Sequence, residues 1–403
     1  MKPSETTRGT AWLQQFEPDD EATAALLLDA VRFVPGGDVI AGLRRAIERF
    51  LSDSPERTPV AAVPVLSHED MISLGEEDLP ALPTAFRDFD PSQALSGAPG
   101  SEALVAQLIH EIKRSTDFAP KLVGFPVSLD LMKVTRSRTL ICVTDYIGSG
   151  RQALRYIDAW HRHPTIRSWR SYGYLKIAIF AFAATTAGLR AVRASPHVDI
   201  VEVTEAVPAL GGKSGILSDP KFAELCRIYA NRGGLGGSGL GFARSGGLFA
   251  NSFSVPNNLP SILVRRSPRW TPFFAGRSSP SELADQIDDF RPRPDIAFEL
   301  AERGQTRLAA RFAEDHVDER WQKHIAMLAL LPRSDEEIAT AVGVDLPEVM
   351  AMRASLVGLM LVDEEGRVTR RGRLALLSAR AKPRLVTASL RPNPSPYYPR
   401  LTR

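Results

Sequence analysis

An aspartate set between a run of strand-forming residues and a turn of small residues is the most chemically suggestive feature of this 403-residue chain. Thr139–Val143 is apolar and of β type; Asp145 follows closely, then Gly148-Ser149-Gly150, then a helical pattern. Free backbone N–H groups at such a turn, and the positive end of the helix behind it, favour a phosphate. A neighbouring carboxylate accepts hydrogen bonds from sugar hydroxyls. Together they predict a site for a ribose phosphate. The competing reading is a tight strand-to-helix connection in which Asp145 only caps the turn, and a glycine-x-glycine does not decide between them.

The elements around this segment alternate between helix and strand. Trp12, Leu13 and Phe16, then Leu26, Leu27, Ala30 and Val31, recur at helical spacing, and Ile40, Leu43, Ile47 and Leu51 share one face of a helix over 39–51. Residues 59–66 read as extended with prolines at the edges, and 74–99, acidic and rich in Pro and Gly, as a loop. Ser101 caps a helix carrying Leu104, Val105, Leu108, Ile109 and Ile112. After the strand 139–143, a helix over 151–161 is expected to bury Leu154, Ile157 and Trp160. The apolar run 175–182 predicts a strand buried on both faces, and 198–203 another. Repeated βα units imply an α/β fold with a parallel sheet whose ligands bind at the carboxyl ends of the strands. Residues 231–277 are dense in Gly, Ser, Asn and Pro; LFANSF, LPSIL and WTPFF within them favour a ligand-enclosing hood over a linker.

The segment VTDYIGSGRQ resembles the phosphoribosyl diphosphate loop of type I phosphoribosyltransferases. Asp145 matches that motif's second acid, Tyr146 and Ile147 its apolar pair, and Ser149-Gly150 its Thr-Gly. Thr144 stands in place of the first acid and Gln152 in place of the last threonine. Trp12-Leu13-Gln14-Gln15-Phe16, Gly100-Ser101-Glu102, Ser245-Gly246-Gly247, Pro256-Asn257-Asn258-Leu259-Pro260 and Trp270-Thr271-Pro272-Phe273-Phe274 follow in the order of a bacterial group of phosphoribosyltransferase-like proteins. That group is linked to conflict systems, including effectors of retron-type antiphage defence, and the resemblance covers about residues 10–280. It implies that Asp145 positions the ribose, with Thr144 beside it. Gly148, Ser149, Gly150, Arg151 and Gln152 would then hold the 5′-phosphate, and Mg2+ would be bound mainly through substrate oxygens. It further implies Gly100 and Ser101 as a diphosphate site, against plain helix capping. Asn257, Asn258, Trp270 and Phe273 would read or stack on a base, against hood packing. Arg136 and Arg138, just before the strand, would neutralise phosphate or belong to a solvated loop.

Helical segments at 281–291 and 295–314 form a linker, and a winged helix-turn-helix is expected over 317–385: an amphipathic helix at 321–331, a short helix from Ser334 to Gly343, a second from Asp345 carrying Val349, Met352, Leu356 and Leu359, and a hairpin around Gly366. Residues 1–280 then form the phosphoribosyltransferase-like domain, with a helical start at 10–55, and 386–403 a basic, Pro-rich tail. No acidic residue follows Glu365. Arg353 is the only base-reading candidate on the second helix, and Arg367, Arg370, Arg371 and Arg373 are assigned to the wing as phosphate contacts. A protein-docking module that binds no nucleic acid is the alternative. The net charge of +3 says little, the two cysteines suit a reducing cytoplasm, and no stretch is apolar enough to span a bilayer. His161 and His163 lack partners at metal-ligand spacing, and no protein-only metal site is expected. The apolar hood and helices are of a kind that supports self-association. Three readings fit: an effector acting on phosphoribosyl diphosphate or a nucleotide, tethered to nucleic acid or to a reverse transcriptase ribonucleoprotein; a transcription regulator that senses phosphoribosyl diphosphate without turnover; and an assembly module with a vestigial fold.

Overall fold

The computed structural model describes residues 2–66, 101–123, 127–211, 216–253, 255–275, 296–313, 317 and 319–381. The acidic loop 74–99, Gly100, the helix at 281–291 and the tail 386–403 lie outside these residues. Helices α1 (Thr7–Leu13) and α2 (Pro18–Asp29) open the chain. Thr6 caps α1 by accepting from the Gly9 N–H, and α2 begins with proline and sets Asp19, Asp20 and Glu21 against the positive end of its dipole. Strand β1 (Arg32–Val34), which the helical spacing of this region does not announce, then comes before α3 (Gly36–Asp53), which buries Val39, Leu43, Ile47 and Leu51.

The sheet follows: β2 (Val60–Pro64), α4 (Ser101–Arg114), α5 (Leu129–Val134), β3 (Thr139–Ile147), α6 (Arg151–Arg162), α7 (Pro164–Ser171), β4 (Lys176–Thr185), α8 (Thr186–Arg193) and β5 (Ile200–Val207). Its strands run parallel in the order β2-β3-β4-β5. Every residue of β4 but Lys176 is buried, as a strand covered on both faces requires. Phe50, Leu108, Ile109 and Phe180 belong to the core on one face, and Tyr156, Ile157, Trp160 and Leu189 to the core on the other. Strand β3 runs four residues beyond the apolar stretch that announces it, because Tyr146 and Ile147 still pair with Ala183 and Ala184 of β4.

Helix α9 (Pro220–Arg232) leads into the glycine-rich segment, which holds β6 (Phe249–Asn251) and α10 (Ser261–Val264). Strand β6 pairs in parallel with β1. Leu240, Leu248, Leu259, Ile262, Trp270, Phe273 and Phe274 pack with Trp12, Phe16, Leu27 and Tyr229 into an N-terminal core, so this segment is a packed element rather than a linker.

The C-terminal part consists of α11 (Ile296–Glu302), α12 (Thr306–Ala313), α13 (Glu319–Leu330), α14 (Asp335–Val342), α15 (Leu346–Gly358) and α16 (Arg370–Arg380). The helix expected at 295–314 is broken at Gly304, which takes φ +79° while Gln305 N–H closes onto the Leu300 carbonyl. The hairpin is short, with one bridge between Val362 and Val368. Helices α14 and α15 pack on β5, the edge of the sheet, and a core shared by Val203, Ala206, Ala341, Val342 and Val349 covers that edge. An ion pair between Arg193, the last residue of α8, and Glu336 of α14 crosses the same contact. No helix among the described residues is long and apolar enough to cross a membrane.

Candidate functional site

Asp145 stands two residues before the end of β3, at the carboxyl edge of the sheet where parallel sheets bind ligands. It is 7% exposed. The Ser101 hydroxyl, at the start of α4, donates to Oδ1 at 3.1 Å, and the Asn251 amide, at the end of β6, donates to Oδ2 at 3.1 Å. The Thr144 hydroxyl lies 3.5 Å from Oδ1. Burial pushes the Asp145 carboxyl above its ordinary range, and the bonds from Ser101 and Asn251 offset only part of that shift. The site therefore holds an acceptor that is costly to keep charged until further donors reach it.

The turn beyond it is braced from β4. The Thr185 hydroxyl donates to the Gly148 carbonyl at 2.6 Å and accepts from the Gly188 N–H at 3.0 Å. Gly188 packs so closely that a β-carbon there would lie 2.2 Å from the same carbonyl oxygen. Gly150 takes φ +76° and opens α6 with no side-chain cap. Ser149 Oγ accepts from the Arg151 N–H at 3.4 Å, and Arg151 and Gln152 are exposed. A helix N-terminus left uncapped behind a glycine turn presents its N–H groups to an anion.

The hood reaches this turn through Asn258. Its amide donates to Ser245 Oγ at 2.6 Å, and that hydroxyl donates to the Phe242 carbonyl at 2.7 Å. The Asn258 side chain rests on Gly148, where a β-carbon would meet its amide carbon at 2.3 Å. Asn257 is exposed, with its carbonyl accepting from Phe242 N–H at 2.8 Å. Trp270 and Phe273 do not join the site. Both are buried in the N-terminal core, where the Trp270 indole donates to the Ile262 carbonyl at 2.7 Å and meets Trp12 and Phe16 edge-on. Neither ring offers a face for stacking on a base. Asn251, which donates to Asp145, and Thr185, which braces the Gly148 turn, are positions that sequence reasoning did not name. The Tyr146 ring stacks on Phe249 at 4.9 Å, and its buried hydroxyl has no hydrogen-bond partner among the described residues. Only Asn251 carried a signal, as a polar residue within an apolar run.

With this arrangement in view, the comparisons with known proteins become decisive. The model of the PRTase-CE family matches residues 10–275, from the first helix to the end of the hood. The chain belongs to the PRTase-CE family. A second model, of a winged helix-turn-helix associated with PRTase domains, matches residues 324–401. No curated protein and no solved structure matches the chain.

Three placements in the winged helix-turn-helix differ from expectation. Arg353 is held in an ion pair with Asp335 of α14, so it is not presented to bases. The exposed positions of α15 are Met350, Ala351, Ala354, Ser355 and Gly358, none of which reads a base edge by a bidentate bond. Arg370, Arg371 and Arg373 belong to the first turn of α16 rather than to the wing. Thr369 caps that helix by accepting from the Gly372 N–H at 3.1 Å, which ends the hairpin before the arginines. Arg367 is on the wing, between Asp363 at 3.9 Å and Glu365 at 3.7 Å. Arg136 and Arg138 lie at the amino end of β3, opposite to Asp145 and the Gly148–Gly150 turn.

Proposed function

We propose that the PRTase-CE domain binds a phosphoribosyl compound, phosphoribosyl diphosphate or a nucleotide, at Asp145 and the Gly148–Gln152 turn. The observation that carries this reading is the convergence of a buried, charge-strained carboxylate with an uncapped helix N-terminus one turn away. Ribose hydroxyls would donate to Asp145 and relieve the cost of its charge. The 5′-phosphate would take the N–H groups of Ser149 to Arg151, and Asn258 would close the hood over it. The donors at the turn, one carboxylate with several hydroxyls, fit a magnesium ion held by substrate and water oxygens more than by protein. Bound there, such an ion would neutralise a leaving diphosphate. Ser101 keeps the Asp145 carboxylate oriented, so that its negative charge faces the anomeric carbon as positive charge develops on the ring.

In the cell we assign this site to a defence effector of the retron type, with the winged helix-turn-helix holding it to nucleic acid or to a reverse transcriptase ribonucleoprotein. Arg370, Arg371 and Arg373 are the contacts we favour for that tether. A second reading is favoured by Thr144: with one acid where the type I motif has two, the domain would sense phosphoribosyl diphosphate without turning it over. Incubating the protein with labelled phosphoribosyl diphosphate, magnesium and a mixture of nucleobases separates the two. Diphosphate release that Asp145→Asn abolishes supports catalysis; tight binding without release supports sensing; no binding contradicts both.

A further inference from the structure

We propose that the amino-terminal end of the central sheet, remote from Asp145, is a binding platform for single-stranded nucleic acid built from Tyr172, Tyr174, Arg136 and Arg138. Tyr172 and Tyr174 are 71% and 57% exposed and stack on each other with ring centroids 5.8 Å apart and planes 21° from parallel. Large exposed aromatics cost solvation, and a stacked pair with open outer faces suits an unpaired base.

The backbone explains why they stand out. Helix α7 ends with Gly173 at φ +71°; Tyr174 N–H bonds to the Trp169 carbonyl at 2.8 Å and Gly173 N–H to Arg170 at 2.9 Å. This glycine-terminated cap ordinarily turns the residue after the glycine inward, onto the helix it ends. In this chain that residue is Tyr174, and it remains exposed beside Tyr172.

Helix α5 ends in the same motif: Ser137 N–H bonds to Met132 at 2.9 Å and Arg136 N–H to Lys133 at 3.2 Å. Its left-handed position, φ +53°, is filled by Arg136 where glycine would be free of strain. A cation kept in an unfavourable backbone conformation points to a use for its side chain. The two caps are neighbours, because Lys176 N–H bonds to the Arg138 carbonyl at 3.0 Å, which joins the starts of β3 and β4. Asp199, just before β5, is already shared by Arg170 at 3.1 Å and Lys176 at 3.5 Å. Arg136 and Arg138 are exposed and form no ion pair among the described residues. Aromatic faces beside uncompensated guanidinium groups are the combination that grips a single strand through its bases and phosphates.

The platform is independent of the phosphoribosyl reading and of the winged helix-turn-helix. Its test is fluorescence anisotropy of the full chain with labelled oligo-dT, oligo-U and a duplex. Tyr172→Ala and Tyr174→Ala should each weaken single-strand binding at least about five-fold, and Arg136→Gly should weaken it and lower the salt slope by about one without lowering the melting temperature. Single-strand binding unchanged in the tyrosine variants, or no single-strand binding by the parent protein, would overturn the proposal.

Discussion

Asp145 is a residue whose chemistry and stability pull in opposite directions. Its carboxyl is pushed above the ordinary 3.8 chiefly by burial. A carboxyl raised on folding binds its proton more tightly in the native state, so its contribution is most favourable below pH 3.8 and is lost as pH rises through the raised value. Asp145→Asn removes that penalty at neutral pH while leaving an amide able to meet Ser101 and Asn251. Its melting temperature at pH 7.5 is predicted to equal or exceed the parent's, although binding of the proposed phosphoribosyl ligand should weaken; a clear fall on differential scanning would show that the charge is stabilised by its surroundings. Gly188 offers the opposite case. A methyl group there meets the Gly148 carbonyl, which is backbone and held by Thr185. Gly188→Ala should cost about 3 kcal/mol, the upper range for forced overpacking, read from urea unfolding.

At the level of elements, the parts that obey short-range rules were legible in the sequence. Helix α6 declares itself by its glycine turn and apolar stripe, β4 by a run of buried residues, and α14 by its Ser334 cap and the Gly343 stop. What the sequence hides depends on distant partners. Strand β1 has three residues and exists because Phe249–Asn251 comes alongside. The polar Thr144-Asp145 pair looks like the end of β3, yet pairing with β4 carries the strand through it. Helix α16 begins where Gly372 fits beneath the Leu361 carbonyl, 2.2 Å from where a β-carbon would sit, and that close approach draws the arginines off the wing. The same reasoning applies to the hood. Asn258 was named from its resemblance to a family motif, whereas its contact with Gly148 requires the fold. Asn258→Ala should loosen the hood, at a cost of about 1 kcal/mol for the lost bond to Ser245, and raise the protection loss of residues 240–247 in hydrogen exchange.

Over the whole molecule, α8 connects two distant regions: Gly188 touches the Gly148 turn and Arg193 reaches the winged helix-turn-helix. Burial pushes the Glu336 carboxyl up, but its own backbone, Ser334 and the Arg193 guanidinium hold it below the ordinary 4.5 overall. A carboxyl lowered on folding stabilises the native state fully above pH 4.5, and that contribution is lost as pH falls through the lowered value. Docking of the winged helix-turn-helix should therefore be insensitive to this group near neutrality and weaken below about pH 4.5, a dependence that Glu336→Gln should remove from the melting profile. Because the Arg193 side chain is half exposed, the effect should shrink with salt. An α/β part followed by a winged helix-turn-helix was legible from the alternation of elements and the capped short helices, whereas the packing of α14 and α15 on β5 was not, since no local pattern marks an edge strand for cover by a later domain. The central claim, a phosphoribosyl site at Asp145, is tested most directly by calorimetric titration of phosphoribosyl diphosphate with magnesium into the parent and Asp145→Asn proteins. Saturable binding to the parent is expected, with at least about ten-fold weaker binding to the variant, the loss of one charge-assisted contact. Equal affinities, or no binding to the parent, would contradict it.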